Sequence, residues 1–259
     1  MGINYLEKSN IGFIVQARMG SARLPNKVMF PLPLNNGKPM IQWIVDQLEM
    51  SKLPHQTIVA TTKRKSDDIL YKYCQRNSIE CFRGDQDNVL SRYIAITEKK
   101  GLDHVVRLTG DNPLLDIDIL DEVVNYHIKH NFDYSYSSGL PLGMNIEVIS
   151  CNTLIDLRTK KLNHDDKEHV TPFLQRSFGL KKGRFYCNVD ENLKKLRLTV
   201  DYPSDYALLS LVMSFYNQNS KMGIKLVTSV YKQFPWLFTI NAENIQKSSL
   251  NKLKRNQPA

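Results

Sequence analysis

The first half of the chain alternates short apolar runs with stripes of apolar residues at helical spacing, and no other feature narrows the possible folds as far. Residues 11–16 (IGFIVQ) read as a buried strand. Over 40–50 the apolar positions Met40, Ile41, Ile44, Val45 and Leu48 fall on one helical face. The rhythm continues with a strand at 56–61, a helix at 67–75 capped by Ser66, a short strand at 80–83 and a helix at 89–99 capped by Asp87. A strand at 104–108 and a helix at 117–129 complete it. A βαβα order places successive strands parallel in one sheet with helices over both faces. The expected class is therefore α/β, a three-layer αβα arrangement of Rossmann-like type with a mostly parallel sheet.

The second half is less regular. Strands are expected at 132–138 and 144–150 around a Gly/Pro-containing turn at 139–143, then at 184–189 and 196–200. Helices are expected at 168–176, 204–216 and 224–233. Trp236 and Phe238 read as packing residues. With 259 residues, 42% of them hydrophobic, and no long linker, the chain is expected to form a single domain. Its parts are a first half over 11–125, a small additional lobe over about 130–195 packed on the sheet, and a closing strand with helices over 196–259.

Charge and cysteine content exclude several classes. The net charge of +9 suits a polyanionic ligand, but no groove-reading motif accompanies it, so no nucleic acid is expected as a partner. The one basic-rich stretch is 247–255. Cys74, Cys81, Cys151 and Cys187 form no CxxC pair and no zinc spacing, which fits reduced thiols in the cytoplasm. No apolar run reaches membrane-spanning length, and the polar start lacks a signal-peptide core, so neither membrane insertion nor export is expected.

In open α/β sheets ligands bind at the carboxyl ends of the strands, so the loops there carry the chemistry. Residues 15–27 read VQARMGSARLPNK directly after the first strand. Ala17, Gly20 and Ser21 are small enough to let backbone N–H groups approach phosphate oxygens, and Arg18, Arg23 and Lys27 can neutralise several charges. Neither a Walker A loop nor GxGxxG is present. By composition alone, a phosphate cradle and a solvated basic loop stand level. Asp111 follows the strand at 104–108 in TGDNP, and Asp201 follows the strand at 196–200 in VDYPSD. Each is placed either to hold a cation against a phosphate or to cap a turn, and their pairing favours one shared divalent ion. Asp116 and Asp205 read as helix caps.

These strings carry a resemblance. ARMGSARLPNK at 17–27 resembles the signature loop of bacterial cytidylyltransferases, a group that includes the 3-deoxy-manno-octulosonate (Kdo) and acylneuraminate enzymes. FRGDQDNVLSRY at 82–93, GDNP at 110–113, GMNIEV at 143–148, EHVTP at 168–172 and DYPSD at 201–205 extend the resemblance over about 11–215, most like the spore-coat SpsF-like branch. The family departs here at Asn26, where Gly is usual, yet Asn tolerates the left-handed conformation such a turn needs. The resemblance implies the nucleotide-diphospho-sugar transferase type of the fold and transfer of CMP from CTP to a small acceptor in surface polysaccharide or glycoconjugate synthesis. It implies Ala17, Arg18, Gly20, Ser21, Arg23 and Lys27 on the triphosphate, and Thr61, Thr62, Arg83 and Thr109 near the nucleotide. Asp111 and Asp201 would bind Mg²⁺, while Asn145, Glu147 and His169 would meet the acceptor. A homodimer formed through the 130–195 lobe is also implied.

Each of these has a plain alternative: strand-end threonines, a paired surface carboxylate at Glu147, a structural histidine at His169. Two rivals remain. A nucleotide-sugar glycosyltransferase would use Asp116-Ile117-Asp118 as a DxD metal motif, and a basic binding module would turn over no nucleotide. A nucleotidyltransferase using another NTP is the nearest alternative.

Overall fold

The structure, a computed structural model, describes residues 9–217 and 222–246. The basic stretch at 247–255 and most of the polar start lie outside the described residues.

A seven-stranded sheet runs through the molecule in the order β5-β4-β1-β6-β8-β7-β9. Its strands are β1 (Ile11–Gln16), β4 (His55–Thr62), β5 (Glu80–Gly84), β6 (His104–Thr109), β7 (Tyr134–Ser138), β8 (Glu147–Ser150) and β9 (Lys182–Tyr186). A separate two-residue ribbon pairs β2 (Pro31–Leu32) with β3 (Lys38–Pro39). β5, β4, β1 and β6 are mutually parallel, β8 is antiparallel to both its neighbours, and β7 pairs β9 in parallel. The stretch expected as a lobe thus contributes β7, β8 and β9 to the sheet itself.

Alternation along each strand builds two cores. Ile11, Phe13 and Val15 point into one, with α1 (Met40–Leu48), α2 (Asp68–Arg76), α4 (Ile117–Lys129), α9 (Pro203–Ser214) and α10 (Ile224–Gln233). Ile14 points into the other, with α3 (Val89–Lys100), α5 (Cys151–Asp156) and α7 (Pro172–Arg176). All five stripe positions of α1 are buried, and full burial of such a side chain contributes about 1.5–3 kcal/mol. Among the described residues no helix is long and apolar enough to cross a membrane.

Several local expectations need correction. Ser66 does not cap α2: it lies inside a 3-10 turn (Lys65–Asp67) that precedes the helix. The cap of α3 is Asn88, not Asp87, and its side chain accepts from Ser91 N. The expected helix at 168–176 is two helices, α6 (His164–His169) and α7, because Val170 between them has φ 69°, outside any helix. Arg176 Nη2 reaches Asp166 Oδ2 across that break at 2.6 Å. The segment 196–200 is not a strand of the sheet. It meets the 139–143 turn through a single parallel bridge, Leu142↔Arg197, and Leu198 N donates to Leu142 O at 2.7 Å. Gly143 permits the approach: at φ 100° a Cβ there would lie 2.7 Å from the Leu198 backbone. Trp236 is largely exposed, whereas Phe238 is buried. A short helix, α8 (Glu191–Lys194), was not expected.

Candidate active site

After β1 the chain crosses to β4 and β5 on one side, then returns to β6 on the other. The crevice between the carboxyl ends of β1 and β6 is therefore a topological switch point, where ligands of such sheets bind. A cleft of about 520 Å³ opens there. Its floor is narrow because Gly110 N donates to Gln16 O at 2.7 Å, and a Cβ on Gly110 would stand 2.8 Å from that of Ala17.

The loop after β1 forms one wall. Asp67 fixes its start by accepting from Met19 N at 2.7 Å and from the Thr62 hydroxyl. Met19 itself is buried, and its carbonyl closes the loop by accepting from Asn26 N at 2.9 Å. Asn26 adopts φ 63°, the left-handed conformation its side chain tolerates. That turn sends Lys27 inward, 7% exposed. Its Nζ donates to Val200 O at 2.7 Å, Asp111 Oδ2 at 2.9 Å and Asp201 Oδ1 at 3.1 Å. Two carboxylates some ninety positions apart in sequence thus share one ammonium.

The opposite contacts fix both aspartates. Thr109 Oγ1 donates to Asp111 Oδ1 at 2.6 Å, and Asn112 Nδ2 donates to Thr109 Oγ1 at 2.9 Å. Val200 N donates to Asp111 O at 2.8 Å, which brings Asp201 alongside. Arg23 reaches Asp201 Oδ1 at 2.7 Å and lies 4.9 Å from the Tyr202 ring, a cation–π distance. Arg197 reaches Asp201 Oδ2 at 2.9 Å and Asp205 Oδ1 at 2.9 Å. Burial alone would raise the Asp201 carboxyl, but the Lys27 ammonium and the Arg23 guanidinium outweigh it and hold its pKa below the ordinary range. Asp205, below it, accepts from Asp201 N and Tyr202 N at 2.9 Å each, so it organises the turn into α9 and faces no ligand.

Ala17, Arg18, Ser21, Arg23, Lys27, Thr109, Asp111, Asp201 and the exposed His169 all line this cleft. Arg18 meets Glu168 of α6 across it at 3.4 Å. Other expected residues do not line it. Gly20 is exposed, with nothing among the described residues within 4 Å of where its Cβ would stand, so it makes no close approach to them. Thr61 and Thr62 are fully buried, and Thr62 serves Asp67 and Arg64 N. Arg83 is spent on the Thr62 and Arg64 carbonyls at 2.9 Å each and on Asp68 at 2.8 Å, a latch between β4 and α2. Asn145 is exposed outside the cleft. Glu147 is neither a surface carboxylate nor a cleft-lining group: it is half-buried and paired with Arg107 at 2.8 Å.

Sequence reasoning missed Arg107, Gln16, Asn112, Glu168 and Thr199, all of which line the cleft. The signal for Arg107 was a charged residue inside the apolar run VVRLT. The DxD alternative loses its first ligand, because Asp116 caps α4 through Ile119 N at 3.1 Å and accepts from Ile224 N at 3.0 Å.

The donor set at Lys27 suits a hard divalent cation: two carboxylate oxygens and a carbonyl already converge on one positive charge. Among the described residues no group of three or more His, Cys, Asp or Glu is arranged for a metal. Two carboxylates, completed by water and substrate phosphates, are what Mg²⁺ ordinarily accepts.

Comparison with known proteins gives the family and the fold. A family model described as cytidylyltransferase matches residues 12–257. The spore coat polysaccharide biosynthesis protein SpsF of Bacillus subtilis is 35% identical over 205 residues, 76% of this chain and 84% of that protein. A cytidylyltransferase structure from Leptospira borgpetersenii superimposes with TM-score 0.81 at 27% identity, covering 92% of this chain and 98% of that one. The structure of a CMP:2-keto-3-deoxy-manno-octonic acid synthetase complexed with CTP superimposes with TM-score 0.60 at 13% identity, covering 80% and 99%, a likeness of fold.

Proposed function

The chain belongs to the cytidylyltransferase family and is a CTP-dependent nucleotidyltransferase, and from that premise we propose that it transfers CMP to a small acceptor at the Lys27–Asp111–Asp201 cluster, releasing pyrophosphate. The observation that carries this reading is the convergence of both aspartates on one loop lysine at the switch point of the sheet. The acceptor is a sugar acid, a sugar or a phosphorylated small molecule, and the SpsF relative's role in spore coat polysaccharide biosynthesis favours surface polysaccharide or glycoconjugate synthesis.

Arg18, Arg23 and Lys27 take the triphosphate, with the Ser21 hydroxyl and the loop N–H groups as neutral donors. Asp111 and Asp201 would hold Mg²⁺, which when bound neutralises phosphate charge and eases deprotonation of the attacking hydroxyl. The acceptor oxygen forms a bond to the α-phosphorus as the bond to the bridging oxygen of the β-phosphate breaks in line. Pyrophosphate carries the electron pair away, and the guanidinium and ammonium groups of the loop meet that charge. Lys27 has two alternative sets of partners, the carboxylates or the phosphates, so nucleotide arrival can draw it out of the cation position it fills. Thr109 and Asn112 keep the Asp111 carboxylate aimed throughout. The reading also takes the enzyme to be cytoplasmic, in keeping with its free cysteines, and homodimeric, a state that light scattering measures directly.

Pyrophosphate release with each of the four NTPs, Mg²⁺ and a panel of sugar acids, sugars and sugar phosphates tests the reading. CTP is expected to exceed the other nucleotides by about 10-fold or more, a difference of 1.4 kcal/mol in transition-state binding. Equal use of all four NTPs, or release of a nucleoside diphosphate from a sugar donor, would overturn it.

A further inference from the structure

Among the described residues, three buried polar atoms lining the cleft have no hydrogen-bond partner: Gln16 Oε1, Arg107 Nε and Asn112 Oδ1. A buried polar atom left unpaired is costly, so such atoms grouped around one cleft point to a ligand that pairs them. Arg107 is the charged member of the three. Its pKa is raised: burial works against the charge, but Glu147 and the neighbouring tyrosines outweigh it, so the guanidinium stays cationic.

Glu147 determines where that charge sits. The antiparallel register of β6 and β8 sets Arg107 opposite Glu147, and Nη1 donates to Glu147 Oε2 at 2.8 Å. The other carboxylate oxygen accepts from the Tyr134 hydroxyl and from Gln175 Nε2, the latter at 3.2 Å. Glu147 is thereby held from β6, β7 and α7 by three hydrogen bonds, which fix its carboxylate in place. The Tyr134 phenol is itself pushed well above its ordinary range by burial and by the same carboxylate, so it remains a donor.

β6 lies between β1 and β8, so the two walls of the cleft are opposed. The loop with Arg18, Arg23 and Lys27 leaves β1, while Arg107 is tethered toward β8. A triphosphate on the first wall leaves the second for the other reactant. One arm of Arg107 is held by Glu147, and the rest of the guanidinium offers paired N–H groups, which match carboxylate or phosphate oxygens better than a lone hydroxyl. We propose that Arg107 is a specificity-determining residue that binds an anionic group of the acceptor, a carboxylate or a phosphate, and that Glu147 is its positioning residue. This rests on the cytidylyltransfer reading above.

The test uses the full chain saturated with Mg²⁺ and the unreactive analogue α,β-methylene-CTP, so that the loop wall is filled. Inorganic phosphate and acetate are then added in separate arms, with chloride at matched ionic strength as control, and melting temperature is followed. Phosphate, acetate or both are expected to raise it in the wild type by mass action, and the arm that does so identifies the group. Arg107→Gln should abolish the rise, and Arg107→Lys should restore part of it. Glu147→Gln should weaken anion binding by about 10-fold, the scale of one charge-assisted bond, while analogue affinity changes less than about twofold in every variant. A merely structural Arg107 would lower the baseline melting temperature without altering the anion-induced increment. No anion effect in the wild type, or an equal effect in Arg107→Gln, overturns this inference alone. If the analogue itself fails to bind, the cytidylyltransfer reading falls, and this inference with it.

Discussion

The two walls of the cleft hold charge in different ways. On the β1 side, Arg23, Lys27 and Arg197 crowd around Asp111, Asp201 and Asp205, and two of those cations come from a loop. On the β8 side, one strand arginine is clamped to one strand glutamate, which neutral donors secure from behind. A cation on a loop can exchange a carboxylate for an incoming phosphate at modest cost, because both are oxyanions of similar hydrogen-bonding chemistry. A cation fixed by strand register keeps its partner and presents only its unused face. The first arrangement suits a polyanion that arrives and leaves in pieces. The second suits a group that must be held still.

That contrast fails most visibly if the aspartates prove dispensable. Asp111→Asn and Asp201→Asn should each reduce CTP-dependent pyrophosphate release by about 10³-fold, the scale lost with a key electrostatic group. Asp111→Asn is the cleaner of the two, since its side chain is 28% exposed and leaves fewer cations unbalanced. Asp201→Asn strands Arg23, Lys27 and Arg197 beside a neutral amide, and breaking such a buried network costs about 3–5 kcal/mol. Circular dichroism and melting temperature should therefore accompany the kinetics. Near-normal turnover in both variants would remove the aspartates from the chemistry.

Lys27→Met sharpens the comparison. It should lower kcat/KM for CTP by about 10²-fold, as loss of one positioned cation does. It also leaves Asp111 and Asp201 sharing a site without their common ammonium. The variant should be less stable than the wild type, and Mn²⁺ without nucleotide should raise its melting temperature. The wild type should respond to Mn²⁺ only when CTP is present, because Lys27 already fills the cation position. A wild-type response to Mn²⁺ alone, equal to that of the variant, would mean that the ammonium and the metal do not compete.

The two walls also differed in how far the sequence revealed them. On the β1 side the chemistry lies in loops at strand ends, where polar residues have no local structural reason to cluster, so Lys27, Asp111 and Asp201 stood out. Thr61, Thr62 and Arg83 occupied equally suggestive positions, yet Thr61 is fully buried, and the fold spends Thr62 and Arg83 on holding Asp67 and the β4–α2 connection, a tertiary use that spacing does not encode. On the β8 side the functional charges sit inside strands. The run VVRLT read as a strand, and Arg107 was passed over although a charge there needs a partner, which the neighbouring strand supplies as Glu147. Elements followed the same rule. Periodicity placed Ile11–Gln16, Ile117–Lys129 and Ile224–Gln233 to the residue. It failed at 168–176, where a β-branched residue adopts φ 69°, and at 196–200, whose partners are loops.

The smallest effect concerns stability and separates the two sides by pH. Asp201 is held below the ordinary carboxylate range, so its stabilisation is full above the unfolded value and is lost only as pH falls through the folded one, in strong acid. The β7 side rests on a neutral imidazole instead. His127 of α4 is fully buried against the Ser135 hydroxyl of β7, with the His104 ring of β6 5.1 Å away and its own Nε2 without a partner among the described residues. Burial first, then His104, lowers its pKa to about 3. The unfolded chain therefore takes up a proton near pH 6.5 that the folded one refuses, and stability declines from there downward at about 1.4 kcal/mol per unit, about 2 kcal/mol by pH 5. His104, lowered in the same direction by burial, adds to the slope. Melting temperature measured from pH 7.5 to 5 should fall in the wild type and fall less steeply in His127→Gln, with turnover at pH 7.5 unchanged. Equal slopes would show that mild acid attacks elsewhere, and that the β7 side is no more acid-labile than the wall carrying the paired aspartates.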